Sequence, residues 1–253
     1  MSPPTSTPPH PIISPPLEHL EAPPEPDISH LVLADKTPVD NLLQEKLQRL
    51  LVQCLYDAFI AEQPFVAMAD VGLFFALYQP PLVPDVMLSL GVEVAEDWEQ
   101  KRHRSYLMWE FGKPPEVVIE IVSNKKGQEL DKKLTDYARI GVAYYVVFDP
   151  LAKLSTEPLL VYGLREGRYQ LLDKPWLPEV GLGLTLWSGE FENKQYSQWL
   201  RWCDQVGNLL LTGREQAEQE KFRADQAEAK LARLAEWARS QGVEVDELGD
   251  IPS

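Results

Sequence analysis

Two short β-branched runs separated by one helix constrain this chain more than any other feature. "VVIEIV", Val117–Val122, is an apolar run of the kind that fills a strand buried on both faces. "QELDKKLTDYARIG" follows, with Leu130, Leu134, Tyr137 and Ala138 at helical spacing and Gly141 as a suitable end. "AYYVVFDP", residues 143–150, is a second apolar strand stopped by Pro150. Strand, helix, strand in that order predicts a right-handed parallel crossover, and hence an α/β core.

The first strand carries an anomaly. Glu120 stands among Val118, Ile119, Ile121 and Val122, and an ionised carboxylate buried without a partner is costly. Alone, it could simply reach solvent or an arginine at the end of the sheet. Ser123 and Asn124 end the run, so Glu120 lies near the carboxyl end of its strand, where open α/β sheets place ligands. A second lone acid, Asp85, sits in the apolar "LVPDVMLSL". It could be a plain turn cap, but two such acids meeting in space would repel unless a divalent cation lay between them. Lys133 is one turn from both Leu130 and Tyr137, on the margin of the helix's buried stripe. From there its ammonium could face Glu120; snorkelling, or pairing with Glu129, is the ordinary alternative.

Around this unit the remaining elements fall into order. Ten of the 22 prolines lie in residues 1–30, which predicts a disordered or polyproline-like arm over 1–34. Leu43, Leu47, Leu50, Leu51, Cys54, Leu55 and Phe59 predict an amphipathic helix. "FVAMADVGLFFALY" (65–78) and "LVPDVMLSL" (82–90) read as two strands about a Gln79-Pro80-Pro81 turn. "AEDWEQKRHRSYLMWEFGKPP" reads as an irregular excursion or short helix, and "PLLVYGL" with "GRYQLL" as a hairpin. "WLPEVGLGLTLWSGEF" adds an edge strand or a covering loop, and "YSQWLRWCDQVGNLL" a closing helix. The expected domain is 35–210, with a mixed central sheet flanked by helices. An acidic helical tail follows over 211–253. There Ala217, Ala224, Ala227, Leu231, Leu234 and Ala238 follow a seven-residue repeat interrupted by Glu220, either a short coiled coil able to form a homodimer or a solvated helix.

Charge and composition exclude several classes. The net charge of −15 divides into −4 for residues 1–30, −4 for 214–253 and −7 for the centre, a poor footprint for a non-specific nucleic-acid binder. The one net-positive section, Trp98–Ile140, holds nine basic and seven acidic residues and flanks the anomalous strand. Within it Lys101–Arg104, "KRHR", could touch phosphate or be a solvated loop. No run of 18 apolar residues predicts a membrane span, and no leader pattern opens the chain, which reads as cytoplasmic. Cys54 and Cys203 are too few for a disulfide framework and read as buried thiols. His10, His19, His30 and His103 have neither metal-ligand nor triad spacing, and "GLGL" (181–184) is no phosphate loop.

Together "VPDVMLSLGVE", "VVIEIVSNKKGQELDKKLTDYARIGVAYYVVFDP", "EPLLVYGLREGRYQLL" and "WLPEVGLGLTLW" resemble the Uma-two group within the PD-(D/E)XK nuclease superfamily, over roughly residues 35–200. The resemblance implies a restriction-endonuclease-like core that cleaves DNA phosphodiester bonds with Mg²⁺ or Mn²⁺. It implies Asp85 and Glu120 as metal ligands and catalytic acids, with Lys133 as the catalytic lysine. The superfamily's usual lysine position, two after the strand acid, is Val122 here, and Lys125 and Lys126 compete with Lys133. A first-helix acid would fall on Glu45, and Asp70 could line the same cleft. The alternative is a catalytically silent nuclease fold that serves as an interaction scaffold.

Overall fold

The structure, a computed structural model, describes Asp27, residues 41–122 and residues 128–241, with side chains from residue 132 onward in that last stretch. The proline-rich arm, the acidic end from residue 242, and Lys125 and Lys126 lie outside the described residues.

Helix α1, Leu42–Ala58, opens the described fold, with the Asn41 side chain accepting the Gln44 N–H as its cap. Its stripe of Leu47, Leu50, Leu51, Cys54 and Leu55 is fully buried. Strand β1, Phe65–Ala69, then stops at Asp70, whose φ of 52° turns the chain. The expected strand over 65–78 is therefore two pieces. Leu73–Phe74, β2, leaves the main sheet and pairs in parallel with β4, Tyr106–Leu107. Between them runs β3, Val86–Leu90, and the excursion before β4 carries a 3₁₀ turn over Lys101–Arg104. Helix α2, Met108–Phe111, ends on Gly112.

The crossover forms as its sequence pattern demands. Strand β5, Val117–Ile121, leads through α3, Gln128–Ile140, to β6, Tyr144–Phe148, and the two strands pair in parallel with Glu120 opposite Val147. Gly141 takes the left-handed conformation, φ 91°, that closes α3. Strands β7, Leu159–Arg165, and β8, Arg168–Leu171, make the expected hairpin. The main sheet is mixed, in the order β1-β3-β5-β6-β7-β8.

A second sheet replaces the expected closing helix. β9, Trp176–Leu177, pairs with β10, Leu182–Phe191, which pairs with β11, Lys194–Cys203. Glu192 and Asn193, at φ 47° and 60°, make a two-residue hairpin turn matched to strand twist. Trp199 and Trp202 at i, i+3 imitate a helical stripe, but Leu200, Arg201 and Cys203 between and beside them are buried as well. A strand covered on both faces has no apolar period, and its aromatic residues favour a sheet. Trp202 Nε1 donates to the Leu51 carbonyl at 3.0 Å, tying β11 to α1.

The main sheet thus has two different faces. Val117, Ile119 and Ile121 of β5 pack with α1 and the second sheet. Val118 and Val122 pack with Tyr137 of α3 on the other. Helix α4, Gly213–Ser240, begins with a capping box between Thr212 and Glu215 and is solvated along its length. Arg201, fully buried, grips both Glu215 oxygens, at 2.9 and 2.8 Å, and so fixes the start of α4.

Candidate active site

The alternation of β5 puts Glu120 on the α3 face with Val118 and Val122, and it is 5% exposed. The register of β3 on β5 pairs Val86 with Ile119 and Met87 with Val118. One step further along that antiparallel ladder, Asp85 arrives opposite Glu120. The Ile121 N–H donates to Asp85 Oδ2 at 2.6 Å, so the end of β5 itself holds the aspartate.

Helix α3 supplies the cation. Lys133 Nζ donates to Glu120 Oε2 at 2.7 Å, and Tyr137, one turn on, donates its hydroxyl to Oε1 at 2.8 Å. Tyr137 is buried and stacks at 5.3 Å, tilted, on Tyr145 of β6. Lys133 keeps about a quarter of its side chain in water. The three candidates from the sequence therefore converge, and Val122, in the superfamily's usual lysine position, packs in the apolar layer instead.

Burial dominates the electrostatics. It pushes the Glu120 carboxyl up to about 7, against the pull of Lys133 and with a further push from Asp85. Burial likewise raises Asp85, against donors from Ile121, Gln44 and Gln48. Tyr137 rises well above its usual range, from burial first and then from the adjoining Glu120. Ionising both acids at once leaves more negative charge here than a single ammonium balances.

The donor set fits a hard divalent cation. Among the described residues, Asp85 Oδ2 and both Glu120 oxygens each accept one protein donor, so each retains acceptor capacity. Among the described residues no three or more His, Cys, Asp or Glu side chains gather into a metal cage. A cation at Asp85 and Glu120 would complete its shell with water and substrate oxygens.

The other sequence candidates divide. Glu45 lies on the outer side of α1, paired with Arg49 at 2.9 Å. Asp70 does approach: its Oδ1 accepts from Gln48 Nε2 at 3.1 Å, and the same Nε2 reaches Asp85 Oδ1 at 2.9 Å. In "KRHR", Arg104 holds the Trp98 and Glu99 carbonyls, His103 that of Asp97, and Arg102 meets Glu110 at 3.5 Å. These contacts brace the loop's own fold. Sequence reading overlooked Gln44 and Gln48, two neutral residues whose signal was their place, one turn apart, beside a leucine stripe.

A crystal structure of "a putative nuclease belonging to DUF820" from Anabaena variabilis is similar at 16% identity and a TM-score of 0.40, over 55% of this chain and 71% of that one. No curated protein matches. A family model described as "Putative restriction endonuclease" matches residues 32–188, more than half of the chain, and the protein therefore belongs to the Uma2 family.

Proposed function

We propose that the protein is a metal-dependent endonuclease that hydrolyses DNA phosphodiester bonds at Asp85, Glu120 and Lys133. The observation that carries the reading is the meeting of two buried acids and one ammonium, drawn from β3, β5 and α3, at one end of the sheet. Asp85 and Glu120 would hold Mg²⁺ or Mn²⁺. When bound, such a cation supplies a Lewis acid for the phosphate and makes water a stronger nucleophile. Lys133 balances negative charge that builds on the phosphate oxygens as the bond to the leaving oxygen breaks. Tyr137 keeps Glu120 turned toward Lys133 by holding its other oxygen.

The family assignment supports the same class of activity. Among the described residues no helix is long and apolar enough to cross a membrane. α4 extends the reading to a homodimer, since Leu231 and Leu234, adjacent on its heptad seam, are 66% and 61% exposed.

One observation favours the second reading, an inactive scaffold. Lys133 and Glu120 already satisfy each other as an ion pair, which a purely structural site would also do. Plasmid nicking separates the two. Cleavage that needs Mg²⁺ or Mn²⁺ and disappears in Glu120→Ala supports the nuclease; equal cleavage by both proteins would mark a contaminant. Calorimetric silence with both metals would favour the scaffold.

A further inference from the structure

Gln44 and Gln48 lie one turn apart on α1 and are 8% and 4% exposed. Burying a primary amide costs free energy unless its hydrogen bonds are replaced. Both amides donate to the same atom, Asp85 Oδ1: Gln44 Nε2 through a short bond, Gln48 Nε2 at 2.9 Å. The second amide hydrogen of Gln48 serves Asp70 Oδ1 at 3.1 Å. Asp70 is brought there by its left-handed backbone, and its own N–H donates to the Asp85 carbonyl at 3.3 Å. On the far side of the carboxylate the Ile121 N–H closes on Oδ2 at 2.6 Å.

This arrangement treats the two oxygens of Asp85 differently. Among the described residues, Oδ1 has both lone pairs occupied, whereas Oδ2 has one donor and one remaining acceptor position. Packing does not account for the glutamines. Leucine would extend the neighbouring stripe of Leu47 and Leu51, and Gln44 instead leaves its own Oε1 buried without a hydrogen bond. What an amide brings, and leucine or glutamate cannot, is a pair of donated protons with no added charge.

The geometry points to Gln44 and Gln48 as positioning residues that lock the Asp85 carboxylate, closing Oδ1 and leaving Oδ2 as its ligating oxygen. The purpose of the lock rests on the nuclease reading; its existence does not. A first-helix acid, which the superfamily pattern suggested at Glu45, would repel Asp85 where these amides hold it. The lock also joins Asp70, Asp85 and α1 into one unit, so the orientation of Asp85 depends on the seating of the helix.

Two measurements test this. The first needs neither metal nor DNA: in ¹⁵N-labelled protein, the side-chain amide protons of Gln44 and Gln48 should exchange with water far more slowly than those of exposed Gln195. Both signals should move in Asp85→Asn. Exchange as fast as Gln195 overturns the lock. The second is Mn²⁺ binding followed by electron paramagnetic resonance. Gln48→Leu should weaken it by about tenfold or more, the usual effect of removing a partner that orients a ligand. In an Asp85→Asn background the same change should do nothing further. Wild-type affinity in a folded Gln44→Leu, Gln48→Leu double variant overturns the assignment. Protected amides in a wild type that binds no Mn²⁺ would sink the nuclease reading and leave the lock standing.

Discussion

Lys133 Nζ lies 2.7 Å from Glu120 Oε2, although one residue belongs to a helix and the other to a strand buried on both faces. The pairing places a cation beside a carboxylate that burial still holds up at about 7 against that cation's pull. If Lys133 acts on substrate charge and does not hold the metal, Lys133→Met should separate two effects. DNA cleavage should fall by about 100-fold, the loss typical of removing one preorganised electrostatic donor. Mn²⁺ affinity should change far less. Parallel titrations and nicking assays check this, and an equal loss in both would assign Lys133 to metal binding.

Tyr137→Phe removes one donor from a buried carboxylate and leaves the ring in place. Hydrogen bonds to charged groups contribute roughly 1.5–3 kcal/mol, neutral ones about half that. Urea unfolding of Tyr137→Phe should therefore show a larger deficit at pH 8, where Glu120 is ionised, than at pH 5, where it is protonated.

The direction of the Glu120 shift predicts how stability depends on pH. Its folded value, about 7, lies above the ordinary 4.5, so the folded state binds the proton more tightly. The resulting stabilisation is fully present below about pH 4.5 and is lost as pH rises through about 7. Its size is on the order of 3 kcal/mol. Comparing Glu120→Gln with wild type across pH 4–8, metal-free, should show the wild type falling relative to the variant over this window. Added Mg²⁺ or Mn²⁺ should restore the wild type above pH 7 and leave Glu120→Gln unmoved.

Crossover and site differ in how openly the sequence declares them. Glu120 and Asp85 are legible because a charge inside an apolar strand is a local contradiction that needs no partner to notice. Helical spacing put Lys133 only on the margin of the buried stripe, and the family resemblance marked it as the lysine, with Lys125 and Lys126 as competitors. Gln44 and Gln48 carry no charge, and their target lies 41 and 37 positions away, so nothing local marks them. Glu45 drew attention as an acid, yet the face it occupies on α1 is the wet one. Strand β11 was obscured because burial on both faces erases the alternation by which a strand is recognised. The break at Asp70 depends on a left-handed residue that aspartate adopts at modest cost and that spacing cannot reveal.

The anchor of α4 should be asymmetric. Arg201 is wholly enclosed, whereas the Glu215 side chain keeps 24% of its surface in water. Removing one partner of a buried pair costs about 3–5 kcal/mol when the other stays charged and enclosed. Glu215→Gln, which takes the counter-charge from the enclosed guanidinium, should lower the melting temperature more than Arg201→Met, which leaves a glutamate still a quarter in water. Calorimetric melts of the two variants decide the order.

Leu231→Glu combined with Leu234→Glu tests the α4 seam. Light scattering coupled to size exclusion should give a dimer mass for wild type and half that mass for the variant, with the helix content unchanged. A wild type that elutes as a monomer at high concentration would remove the seam from consideration.

The address of the ammonium has a mechanical consequence. A lysine on the strand would be fixed by the same ladder that fixes the acids, but Lys133 rides on α3, outside that ladder. Sliding α3 by one residue would carry the ammonium about 1.5 Å along and some 100° around the helix axis, with no ladder hydrogen bond disturbed. The acids are thus welded to the frame while their counter-charge hangs on a separate arm, and a perturbation confined to that arm would switch off the proposed cleavage and leave the fold intact.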